Sequence, residues 1–114
     1  MATELPTWSG GKQRFRYEFD RSTLGVRILC GDNCSRIYQL DGASLREALV
    51  KFSGKESPVG IHRTEPPADS IGDWLRVHCK RGGIMSYLGP LLIHEGYAKR
   101  GTEKDRIYIK PFSV

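Results

Sequence analysis

An α+β fold is predicted: an N-terminal three-stranded antiparallel meander packed by helices, with a C-terminal β-hairpin. Three observations predict it. Residues 13–40 alternate apolar and polar side chains in short runs broken by tight turns. Residues 45–52 and 71–78 switch to the 3.6-residue spacing of amphipathic helices. Residues 97–112 place two β-prone runs on either side of a polar, glycine-containing loop. A chain of 114 residues has no room for a second core, so residues 1–114 are expected to form a single domain.

Residues 1–12 are polar and carry Pro6 and the Gly10-Gly11 pair, which predicts a loose N-terminal arm with Trp8 as its anchor. In residues 13–19, Phe15, Tyr17 and Phe19 fall on one face, with Arg14, Arg16 and Glu18 on the other. That is the pattern of a half-buried strand. Asp20-Arg21-Ser22-Thr23 turns the chain. Leu24, Val26, Ile28 and Cys30 then share a face of a second strand, Gly31-Asp32-Asn33 makes another turn, and residues 35–40 form a third strand. Leu45, Ala48, Leu49 and Phe52 mark a helix over residues 43–53. Its N-cap is Asp41, or Ser44 in a capping box with Glu47. Its apolar stripe needs cover, and the aromatic face of the meander is the expected partner.

Residues 54–68, with three prolines and two glycines, read as a surface connection with room for a short strand at 59–63. Asp69 or Ser70, the latter with capping-box spacing to Asp73, caps a second helix carrying Ile71, Trp74, Leu75 and His78 on one stripe, which Gly82-Gly83 is expected to end. A third, largely apolar helix runs from about Ser86 to Glu95 and stops at Gly96. Pro90 fits this helix awkwardly, as a first helical residue or as a bend. The closing hairpin uses Tyr97–Arg100 and Arg106–Phe112, with Pro111 limiting its last strand.

Hydrophobic residues make up 39% and charged residues 27%, which excludes a wholly disordered or membrane-embedded chain. Eighteen Lys and Arg against thirteen Asp and Glu give a net charge of +5, a field that favours anionic partners. Three cysteines do not make a secreted disulfide framework. The opening residues show no basic and apolar leader, and no apolar run spans a bilayer. A cytoplasmic location with no membrane partner is the expectation.

Cys30 and Cys34, with His78 or Cys79, have acceptable spacing for zinc, and a Cys30–Cys34 disulfide is an equal alternative. Cys30 also continues an apolar stripe, as a buried small hydrophobe does, and neither a metal nor a cofactor is assigned. Cys79 or Cys34 with a histidine could form a nucleophile–base pair, but His78 and Cys79 diverge on their helix and no established catalytic motif is present. Gly82-Gly83 before a helix could bind an anion, or could serve only as a stop. Phe15, Tyr17 and Phe19 beside Arg14, Arg16, Arg27 and Arg36 could form a base-stacking sheet, although their alternation favours core against solvent.

The stretch from Leu92 to Arg100, followed by Arg106-Ile107-Tyr108-Ile109, is similar to the recognition-helix end and wing of winged-helix proteins. The resemblance covers about a third of the chain. It implies nucleic-acid binding through the C-terminal hairpin, with Lys99, Arg100, Lys104, Arg106 and Lys110 on phosphates. The departure lies in residues 86–93, which offer few polar side chains to a groove. The many Tyr and Trp residues, the apolar third helix and the hairpin edge suggest a homodimer, unless the N-terminal arm covers that surface. The functional reading is a small non-catalytic binding protein with an anionic partner, nucleic acid among them. The alternative is a small enzyme or small-molecule-binding domain with a pocket between helices and sheet.

Overall fold

The alternating segments do form strands, and the N-terminal sheet is wider than expected. The computed structural model describes residues 3–10, 13–30, 36–62 and 65–113. β1 (Thr3–Pro6), β2 (Arg14–Phe19), β3 (Val26–Cys30) and β4 (Arg36–Leu40) form one antiparallel sheet in the order β1-β2-β3-β4. The meander therefore has four strands, not three. The added strand comes from the segment expected to be a loose arm, with Leu5 opposite Phe15 and Pro6 opposite Arg14. Four residues, one of them proline, are too few for alternation to reveal a strand. Pro6 is tolerated because β1 is an edge.

Register places Phe15, Tyr17 and Phe19 on the same face as Val26, Ile28 and Cys30, and as Arg36, Tyr38 and Leu40. Phe15, Tyr17, Val26, Ile28, Cys30 and Leu40 are buried. Arg14, Arg16 and Arg27 face water from the other side. Phe15 and Tyr17 are therefore core and Phe19 packs half-buried against it, so the row offers no stacking platform to a ligand.

α1 (Gly42–Lys51) is capped by Asp41, which accepts from the Ser44 N–H (3.2 Å) and Oγ (2.7 Å). In α2 (Ile71–Cys79), Ser70 Oγ accepts from the Asp73 N–H at 3.0 Å, as its spacing predicts. α1 packs on α2. The ring contacts to the aromatic sheet face, which the sequence assigns to the first helix, come instead from α3 (Met85–Glu95) and the residues after it. Tyr87 meets Phe15 edge-on at 5.3 Å, and His94 meets Tyr17 edge-on at 6.4 Å. Tyr97 lies edge-on to Phe19 at 5.7 Å. The Tyr17 hydroxyl donates to Glu95 Oε2 at 2.6 Å.

A second sheet has the order β5-β7-β6, built from β5 (Glu56–Pro58), β6 (Ala98–Arg100) and β7 (Arg106–Ile109). The C-terminal hairpin forms as predicted. The short strand expected at 59–63 forms upstream of that range, and Arg63 lies outside the described residues.

Trp8 ties these layers together. Its ring rests on Gly89, where a Cβ would stand 2.7 Å from the indole. Pro90 lies inside α3 and has no N–H to offer the Ser86 carbonyl one turn earlier. That carbonyl accepts from the Trp8 N–H at 2.8 Å instead. Trp8 Nε1 donates to the Lys104 carbonyl at 2.9 Å. The proline that reads as a flaw in the helix is thus a socket for the N-terminal segment.

Candidate anion-binding cleft

The turn between α2 and α3 lies against the edge strand β4. Arg81 Nε donates to the Gln39 carbonyl at 2.8 Å and fixes the turn to that edge. The turn begins at Lys80, which ends α2 in the left-handed conformation with φ 56°. The stop expected from Gly82-Gly83 is therefore made two residues earlier, by a residue with a side chain.

Between turn and strand lies a cleft of about 390 Å³. β4 contributes Arg36 and Tyr38, the turn contributes Lys80 and Arg81, and α3 contributes Ser86 and Tyr87. Ile61 reaches in from the segment before α2. The described lining holds three cations and no carboxylate. Arg36 occupies the inward-facing row of the sheet at the open end of β4, so its side chain serves the cleft and not the outer face. Tyr38 stacks on Tyr87 with ring centres 5.9 Å apart and planes 24° from parallel. Burial, and then a hydrogen bond with Cys30, push the Tyr87 phenol above its ordinary pKa, while Arg36 pulls it down. Tyr87 therefore stays neutral and leaves the positive potential of the cleft intact. The glycine pair does not present helix amides to it. The Ser86 and Tyr87 N–H groups already donate to the Gly83 and Ile84 carbonyls at 3.2 and 2.9 Å. Charge here comes from side chains.

The five cations expected on the hairpin have different positions. Lys104 and Lys110 are exposed. Lys99 is exposed with its ammonium 5.2 Å above the Tyr108 ring. Arg100 lies 4.2 Å above the Trp8 ring and donates to the Trp8 carbonyl at 3.3 Å. Arg106 is half-buried and pairs with Glu56 Oε2 at 2.9 Å. The order helix, turn, helix, hairpin is present. However, the helix that the winged-helix resemblance makes a reader buries Met85, Leu88, Gly89, Leu91 and Leu92.

Among the described residues the other constellations do not assemble. Cys34 lies outside the described residues, and with it the Cys30–Cys34 pair. Cys30 is buried and Cys79 half-buried. Among the described residues, no three side chains of His, Cys, Asp or Glu converge as metal ligands. His78 stacks on Trp74 at 4.6 Å and contacts the Trp74 carbonyl through Nδ1, both on its own helix. The apolar third helix, one reason to expect a dimer, is covered by its own chain: by the sheet, by Trp8 and by β6. Among the described residues no helix is long and apolar enough to cross a membrane.

Sequence reading names Arg36 and the glycine pair separately and passes over Lys80 and Arg81. The available signal is a Lys-Arg pair directly before Gly82-Gly83 in a turn between two helices. What joins it to Arg36 is a contact between Gln39 and Arg81, which local pattern cannot supply. Comparison with family models, curated proteins and solved structures finds no match to this chain.

Proposed function

We propose that this chain is a non-catalytic binding protein for an anionic partner, with nucleic acid the favoured class. The cleft between β4 and the α2–α3 turn is its primary contact. One observation carries this reading: Arg36, Lys80 and Arg81 converge on a concave surface whose described lining has no opposing carboxylate. Cations placed on one focusing surface raise the local concentration of an anion far more than the same charges scattered. The exposed Lys104 extends the basic surface. Trp8 links the Ser86 carbonyl, at the cleft, to the Lys104 carbonyl, so the two lie a single side chain apart.

Fluorescence anisotropy with a labelled single-stranded oligonucleotide tests this at about 50 mM salt, where non-specific affinity is measurable. The expected result is binding that weakens steeply with added salt and drops on Arg36→Gln with Lys80→Gln. An absence of binding to any polyanion under these conditions rejects the proposal.

A further inference from the structure

The cleft offers more than charge. Arg36 and Tyr38 leave β4 on the same side, two residues apart, and Lys80 faces them from the turn. Tyr38 is half-exposed and is backed by Tyr87, which is itself braced edge-on by Phe15. A ring held from behind in this way is fixed in orientation and gives a flat ligand a ready surface. Ile61, exposed and on the cleft lining, adds an apolar wall. Cations beside a fixed aromatic face match a ligand in which a flat ring and a phosphate are joined at short range. A volume of about 390 Å³ is in the range of a small-ligand site, and it is too confined for the stacked pairs of a duplex.

Resting on the anion-binding reading above, we infer that the cleft takes one unpaired nucleotide unit. Its base stacks on Tyr38, and its phosphate is held by Arg36, Lys80 and Arg81. The partner is then single-stranded nucleic acid, recognised through base stacking as well as charge.

The test compares four probes on the full chain: a ten-residue oligothymidylate, the same backbone without bases, a duplex of equal charge, and polyglutamate. Each is titrated against the wild type, Tyr38→Phe and Tyr38→Leu, with thermal melts confirming that each variant folds. Stacking predicts that oligothymidylate binds about tenfold more tightly than the abasic strand or the duplex. Tyr38→Leu removes that advantage and leaves abasic binding unchanged, while Tyr38→Phe keeps it. If all polyanions bind alike and Tyr38→Leu changes nothing, the nucleotide inference is overturned and the anion site survives. If polyglutamate binds best, the partner is an acidic polypeptide and the inference again fails. If none of the four binds, the anion reading falls with it.

Discussion

Lys80 is a lysine where the backbone favours glycine. Its left-handed φ of 56° crowds Cβ against the next carbonyl, a penalty of about 1 kcal/mol that glycine avoids. Lys80→Gly is therefore expected to raise thermal stability by about 1 kcal/mol while weakening oligonucleotide binding. Opposite signs in the melt and the titration would show strain retained for the sake of a charge. The carboxylates give a second residue-level expectation. Asp20 and Asp41 are held below the ordinary carboxylate range chiefly by the Ser22 and Ser44 hydroxyls, and Glu56 chiefly by the Thr102 N–H. A carboxyl held low binds fewer protons folded than unfolded, so its stabilisation is full above the ordinary range and is lost as pH falls through the lowered values. Melts taken from about pH 6 to about pH 3 should show a falling midpoint. Asp41→Asn keeps an N-cap without the titrating group, so part of that fall should disappear. Asp41→Ala loses the cap and should cost about 1 kcal/mol at neutral pH.

At the scale of elements, the socket around Trp8 makes the sharpest prediction. Gly89→Ala drives a methyl into the indole and should destabilise by about 1–3 kcal/mol, with a shift in tryptophan emission. Pro90→Ala restores an N–H that competes with Trp8 for the Ser86 carbonyl. The substitution should stabilise more in a Trp8→Pro background, which lacks the competing backbone N–H, than in the wild type, and a double-mutant cycle reads the difference. These contacts also show where sequence reading ends. The strands β2, β3 and β4, the three helices and the hairpin were legible because each announces itself within ten residues by period, cap or turn. β1 was not, because four residues carry no period. Which helix covers which sheet face was not legible either: the stripe on α1 and the apolar surface of α3 both fit the aromatic face, and only the distant contacts of Tyr87 and His94 decide between them. Half of the cleft was visible as separate residues, and its assembly was not.

For the whole molecule, the charge balance matters less than its placement. A net charge of +5 is modest, and on the outer face of the first sheet Arg27 and Arg16 are offset by Glu18 and Glu4 at 3.4 and 3.8 Å. The described lining of the cleft carries no carboxylate, and of its three cations Arg81 has Asp41 within electrostatic reach from outside the lining. Binding of a single strand should therefore follow the cleft: each of Arg36→Gln and Lys80→Gln should reduce the slope of log affinity against log salt by about 0.7. Arg27→Gln should leave the slope unchanged. Lys104→Gln should reduce it as well if the strand continues past Trp8 toward the hairpin.

The Trp8–Lys104 bond spans 96 positions. The seat of the indole is therefore complete only once the hairpin that carries Lys104 has formed. Until then the indole N–H lacks its carbonyl partner and the ring lacks part of its cover. Fragments lacking either partner should thus lose the same closing step, and a chaperone that recognises exposed aromatic segments would find its target in any chain whose hairpin has not yet formed.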